Sequence, residues 1–314
     1  MTSTLIRRHL PPYPSSVSAP GAAISRARAR DWAEIQERMM VPLYEAVYER
    51  LEVGAGTRLL GLGCGSGLAL LMAVARGATV CGVDPDEERL GLACERLLAG
   101  PGARPGAARP STPGGVARLA RLADGGLGGA LTASGAGAGP AARTGSGFTV
   151  VTAFDPPSAL GADGALPERL ASAAALAEPG SPVVLAGWGP PERCDTSAVL
   201  RVGARLADRA VPQLPLGGAP SPRWQPCGRD DLEDLAQRAG LRLDGSGRVA
   251  CPFGYADMDS AVRGLLSTGL FDAAERTTDA TQVRKEITEA LHPYRRQDGT
   301  VWMENVMRYL IART

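Results

Sequence analysis

Two linked stretches constrain this chain more than any other: Leu59-Leu60-Gly61-Leu62-Gly63-Cys64-Gly65-Ser66-Gly67, and then Val80-Cys81-Gly82-Val83-Asp84. The first reads as a strand entering a glycine-rich turn. Glycines at alternate positions let the backbone turn tightly and approach a ligand with no Cβ in the way. Leu68 to Arg76 is rich in Ala and Leu and predicts a helix whose N-terminal N–H groups face the turn. The second stretch reads as the next strand, ending in a carboxylate able to accept two hydrogen bonds from a ribose diol. Strand, turn, helix, strand and acid in that order describe an α/β sheet holding a nucleotide-type ligand at its strand ends. A dinucleotide fingerprint reads G-x-G-x-x-G, whereas here the order is Gly63-x-Gly65-x-Gly67. No Gly-Lys-Ser/Thr comes after it, which excludes a P-loop.

These residues resemble a known family, the class I S-adenosylmethionine-dependent methyltransferases. Leu60 to Gly67 is similar to the family's first motif and Gly82 to Pro85 to its second. The resemblance extends from about Asp31 to Arg313. Asp31-Trp32-Ala33-Glu34-Ile35-Gln36-Glu37 resembles the lid helix of bacterial members near the ubiquinone/menaquinone C-methyltransferase group, and Phe148 to Phe154 the fourth strand. Tyr294-Arg295-Arg296 and Glu304 to Tyr309 resemble the ending of actinobacterial small-molecule members. The resemblance implies a Rossmann-like seven-stranded methyltransferase sheet with flanking helices, N-terminal lid helices and a helical cap. It implies S-adenosyl-L-methionine as cofactor, with Gly63, Cys64, Gly65 and Gly67 around its methionine part. Asp84 would hold the ribose hydroxyls, and Pro85, Phe154 and Asp155 are further candidates for the cofactor site.

Two departures matter. The family has Asp or Glu where this chain has Gly61. Drift, weakened cofactor binding and compensation by another acid are the three readings. The third motif is also degenerate. Residues 101–147 are dominated by Gly, Ala, Pro and Arg, with Asp124 as the only acid. Either Val116 to Ala123 is a remnant third strand that brings Asp124 to adenine, or the stretch is a long low-complexity loop.

With 314 residues and a net charge of +1, the chain is one large domain or a core with a cap. Arginines are scattered, with no basic stripe interleaved with aromatic residues, which argues against a nucleic-acid partner. Cys64, Cys81, Cys94, Cys194, Cys227 and Cys251 form no C-x-x-C pair, and there are two histidines, which argues against a metal site. No run reaches transmembrane length, and no signal-peptide apolar run comes after the N-terminal basic residues. The expectation is a cytoplasmic protein.

Residues 1–25 read as a tail and 26–56 as lid helices, with Ile35, Met39, Leu43, Val47 and Leu51 as the apolar stripe and Pro42 as its kink. Residues 57–192 read as the cofactor-binding core, with the insertion at 101–147. A cap or loop occupies 193–228, then the second half of the core 229–314, with cap helices within 259–292. The expected strands are Thr57 to Leu62, Thr79 to Val83, Phe148 to Phe154, Pro182 to Trp188, Leu241 to Pro252 and Thr300 to Ala312, the last irregular near Asn305.

Methyl transfer from a sulfonium needs in-line placement and sometimes a base. Tyr44, Glu45 and His292 are the candidates for catalysis. Tyr44 has core packing as its alternative, and His292 a surface role at a helix end. Glu37, close to Pro42, is expected to face solvent. Trp32, Tyr48, Trp188, Trp224 and Tyr255 are candidates to line an acceptor pocket. Asp155-Pro156-Pro157-Ser158 superficially resembles the Asp-Pro-Pro-aromatic motif of amino-group methyltransferases, but Ser158 replaces the stacking ring. The leading expectation is methyl transfer to a small apolar or aromatic metabolite of secondary metabolism. The alternative keeps the fold without the transfer, as a cofactor-binding cyclisation or rearrangement catalyst or as an inactive subunit. A homodimer, or a heteromer with a homologous active subunit, is the expected assembly. An oxidoreductase is a distant third reading.

Overall fold

A computed structural model describes residues 20–98, 117–122, 126–133, 147–154, 166–209, 228 and 230–314. The chain opens with helix α1 (Pro20–Asp31), so residues 20–25, read above as part of the tail, are helical. A π-helical turn over Trp32–Gln36 and a 3₁₀ turn over Glu37–Met40 lead into α2 (Val41–Arg50). Pro42 lies in the first turn of α2, where its missing N–H and fixed φ are tolerated. The break in α-helical winding therefore precedes the proline.

Alternation of strand and helix then builds the core. In order come β1 (Arg58–Leu62), α3 (Leu68–Ala75), β2 (Thr79–Asp84), α4 (Glu87–Leu98), β3 (Ala117–Arg121), α5 (Gly126–Ala133), β4 (Val150–Ala153), α6 (Leu166–Ala174) and β5 (Pro182–Trp188). The third strand is real: β3 pairs parallel with β2 from Val80↔Ala117 to Asp84↔Arg121. Further on lie α7 (Thr196–Arg209), α8 (Asp231–Arg238), β6 (Arg242–Ala250), β7 (Phe253–Tyr255), α9 (Met258–Ser267), α10 (Asp272–Thr277), α11 (Ala280–Leu291), β8 (Val301–Met303) and β9 (Val306–Arg313).

The main sheet runs β3-β2-β1-β4-β5-β9-β6, with β9 antiparallel to both its neighbours. This is the Rossmann-like seven-stranded mixed sheet of the methyltransferase fold, flanked by helices on both faces. Alternating side chains along each strand serve the two faces. Leu59 and Val80 join the core under α2, α3 and α4, while Leu60, Leu62, Cys81 and Val83 join the core under α5, α6 and α8. Apolar residues over whole strands, as in Pro182–Trp188, are what burial on both faces requires.

The single last strand expected from Thr300 to Ala312 is instead two strands in different sheets. β8 pairs with β7 in a two-stranded ribbon, and β9 enters the main sheet. Asn305, 1% exposed, sits at the break: its carbonyl accepts from Cys251 N–H and its side chain from Thr196 N–H. A short polar side chain that satisfies buried backbone donors makes the crossing between sheets possible. The ribbon, α7, α9, α10 and α11 form the cap, and α9 lies against α1 and the π-helical turn. At Gly264 a Cβ would come within 2.9 Å of both Ile35 and Tyr255, so α9 reaches this segment because glycine stands there.

A strand-end cleft closed by the N-terminal segment

The glycine turn after β1 has the geometry its sequence demands. Gly63, Gly65 and Gly67 have φ of 64°, 55° and 82°, the left-handed region that glycine enters without strain. Gly63 and Cys64 N–H groups both donate to Val83 O, at 2.9 and 3.1 Å, tying the turn to the end of β2. Asp84 completes the tie. Gly65 N–H donates to its Oδ2 at 2.7 Å and Asp86 N–H to its Oδ1 at 2.8 Å. The carboxyl is 1% exposed, and burial pushes its pKa up to about 7 against the opposing pull of Arg89 and the two backbone hydrogen bonds. In this conformation both Asp84 oxygens hold the chain's own backbone.

Leu70 explains what stands in place of the missing acid. Gly61 and Gly82 are direct neighbours across the β1–β2 pair. A Cβ at Gly61 would lie 2.9 Å from Leu70 Cδ2, and one at Gly82 would lie 2.4 Å from Leu70 Cδ1. One leucine, 1% exposed, thus fills the space over two adjacent glycines. The site that an acid would take at the end of β1 is packed with hydrocarbon.

The N-terminal segment covers the turn. Trp32 Nε1 is 3.0 Å from the position of a Gly65 Cβ, so the indole rests directly on the bare backbone. Its other side faces the Arg89 guanidinium, 4.2 Å from the ring centroid, a cation–π contact. Arg89 in turn donates to Ser267 O at 2.7 Å, joining this stack to the cap. Trp32 Nε1 is buried and has no acceptor among the described residues. Glu37 is 2% exposed and lies at the N-terminal end of α3. It accepts from the Ser66 hydroxyl, from Leu68 N–H at 3.3 Å and from Arg96 Nη1 at 2.8 Å. A carboxylate is favourable at a helix N-terminus, and Arg96 offsets its burial. The expectation that Glu37 faces solvent fails because the π-helical turn carries an extra residue and rotates the residues after it.

Two small cavities flank this contact. The first, about 20 Å³, is lined by the turn with Trp32, Glu37, Tyr44, Leu70, Thr152 and Phe154. The second, about 40 Å³, lies between Trp32, Met40, Tyr44, Phe154, Trp188, Phe253 and Met307, and none of the described residues that line it is charged. Tyr44 and Phe154, with ring centroids 4.9 Å apart, belong to both walls. S-adenosylmethionine is the group this fold implies. Leu68 N–H, now held by Glu37, and the Trp32 indole N–H, without an acceptor among the described residues, suit it in chemistry. The space does not: about 20 Å³ admits roughly one water, while ligand pockets span several hundred Å³. With Asp84 engaged as well, the residues as arranged do not fit the cofactor.

The structure brings together Trp32, Tyr44, Cys64, Phe154 and Trp188 from the sequence-derived set. Tyr48 is 1% exposed, donates to Ala69 O at 2.9 Å and belongs to the core, where burial raises its phenol pKa. Tyr255, also buried, donates to Gln36 Oε1 at 2.9 Å and joins cap to lid instead of lining a cavity. Glu45 and His292 are exposed and lie outside both cavities. Pro85 is half-buried at the end of β2. Asp124, Asp155 and Trp224 lie outside the described residues. The described cysteine thiols are free and buried; burial pushes Cys81 up to about 12 and Cys251 to about 11. Sequence reading missed Glu37, Arg96, Arg89 and Phe253. Glu37 with Arg96 carried no local signal, since the pair is formed between distant elements.

No protein-family model and no curated protein matches the chain. Solved structures do. YjhP from E. coli is 16% identical, with 92% of this chain and 99% of that one covered and a TM-score of 0.47. A SAM-dependent methyltransferase from Methanosarcina mazei is 12% identical over 86% and 96%, with a TM-score of 0.46. A SAM-dependent methyltransferase from Thiobacillus denitrificans, in complex with S-adenosyl-L-homocysteine, is 17% identical over 94% and 99%, with a TM-score of 0.43. Among the described residues, no helix is long and apolar enough to cross a membrane.

Proposed function

We propose that the chain binds S-adenosylmethionine and supports methyl transfer to a small apolar or aromatic acceptor, from a conformation in which Trp32 and Glu37 have left the glycine turn. The observation that carries this reading is the turn itself. Three left-handed glycines leave the backbone bare of Cβ atoms at the end of β1, beside the N-terminus of α3, where Glu37 holds Leu68 N–H. The described lining of the larger cavity, with Tyr44, Phe154, Trp188 and Phe253, is uncharged and favours an acceptor recognised by burial and ring contacts. One observation favours a second reading, a fold kept without transfer: Leu70 fills the place of the acid at Gly61.

Calorimetric titration of ligand-stripped protein with S-adenosylmethionine and S-adenosylhomocysteine separates the two. Micromolar affinity for both supports the first. An absence of heat from well-folded protein overturns it and directs attention to a second subunit.

A further inference from the structure

The closure of the cleft is built from contacts that can let go as a unit. Glu37 contributes a buried carboxylate, and three donors converge on it from three parts of the chain: Ser66 from the turn, Leu68 from the start of α3 and Arg96 from the far end of α4. Arg96 also donates to Ser66 O at 2.9 Å and to Ala33 O at 3.4 Å, so one guanidinium spans the N-terminal segment and the turn. Its side chain is 25% exposed, which leaves it a route to water when Glu37 moves. Two further features mark the closed state as one of a pair. Trp32 is 6% exposed and presses its Nε1 against Gly65 with no acceptor among the described residues, a donor that a ligand oxygen would satisfy. The segment is wound as a π-helical turn followed by a 3₁₀ turn, a winding less stable than α-helix and recurrent at functional sites.

We propose that Glu37, Ser66 and Arg96 form a releasable latch, in which Glu37 supplies from within the chain the negative charge that the anionic end of a ligand brings to the same donors, Leu68 N–H, the Ser66 hydroxyl and the Arg96 guanidinium. Ligand entry then exchanges one anion for another at the start of α3, with Arg96 changing partner or turning to solvent. Identifying that ligand as S-adenosylmethionine rests on the function proposed above; the latch itself does not.

The test compares wild type with Glu37→Gln and Arg96→Met by amide hydrogen exchange. Either change removes the ion pair, and amides from Gly63 to Leu71 are expected to exchange about tenfold faster. Amides of β5, in the middle of the sheet, keep their wild-type protection. Unchanged exchange at the turn in both folded variants overturns the latch. So does a loss of protection that spreads equally to β5, since the pair then supports the whole fold. A titration with S-adenosylhomocysteine is then made on the same proteins. Variants that open and bind about tenfold more tightly than wild type support both proposals. Variants that open and bind nothing leave the latch standing and overturn the cofactor reading.

Discussion

Restoring the acid at the end of β1 tests the packing that replaced it. A Gly61→Asp substitution puts a Cβ 2.9 Å from Leu70 Cδ2, in a region where Leu70 is 1% exposed. Overpacking a core by this much costs about 1–3 kcal/mol. Carboxylate burial adds roughly another 1–3 kcal/mol, on the mutational scale for an unpaired polar group. The single variant is therefore expected to lose about 2–6 kcal/mol. Leu70→Ala alone removes the leucine that covers Gly61 and Gly82, and costs about 2–5 kcal/mol. In the double variant the new side chain enters the space that Leu70 vacates, so the steric part of the first penalty disappears and the cavity of the second is partly filled. The double variant is expected to be more stable than the sum of the singles by about 1–3 kcal/mol, the range of coupling between residues in contact. Urea unfolding of the four proteins, with equal m-values as the check on two-state behaviour, measures the cycle. Additivity within about 0.5 kcal/mol, or a neutral Gly61→Asp, would refute the claim that Leu70 occupies the place of the acid.

The buried Asp84 carboxyl, with its pKa near 7, keeps a proton in the folded state that the unfolded chain has already released above about 3.8. Its contribution to stability is therefore full at low pH and declines as pH rises towards about 7; Asp84→Asn should flatten that slope in urea midpoints measured across the window. Gly203→Ala should lower the urea midpoint although alanine is the better helix former by about 1 kcal/mol. Its Cβ would lie 2.5 Å from Phe271 Cδ1, within a fully buried ring contact, and overpacking of about 1–3 kcal/mol outweighs the propensity gain. Glu45→Ala and His292→Ala, at exposed positions outside both cavities, should leave S-adenosylhomocysteine affinity within about twofold of wild type by calorimetry.

The core was legible wherever burial on both faces or a glycine turn left a local mark. Pro182–Trp188 is a strand at the residues its apolar run marks out, and the turn after Leu62 has the left-handed glycines its spacing requires. In the degenerate stretch before Leu122 the sequence leaves strand and loop both open; the structure makes it a strand, with Leu119 and Ala120 facing opposite cores. What local pattern could not show is winding and tertiary pairing. An apolar stripe at every fourth residue places Ile35 and Met39 inward. The π-helical turn shifts the buried face to Trp32, Gln36, Glu37 and Met40 instead. The ion pair of Glu37 with Arg96 joins an N-terminal turn to the far end of α4, and no sequence spacing announces such a contact. The division of residues 300–312 at Asn305 depends on donors from Thr196 and Cys251, again distant in sequence.

Trp32, Tyr44 and Phe154 are the common wall of the two cavities, and this has a thermodynamic consequence. Whatever moves Trp32 off Gly65 reshapes both chambers in one event, so occupancy of one alters the affinity of the other, and by linkage the effect is equal in each direction. Two ligands that share such a partition do not arrive independently. The coupling between them is the same whichever binds first.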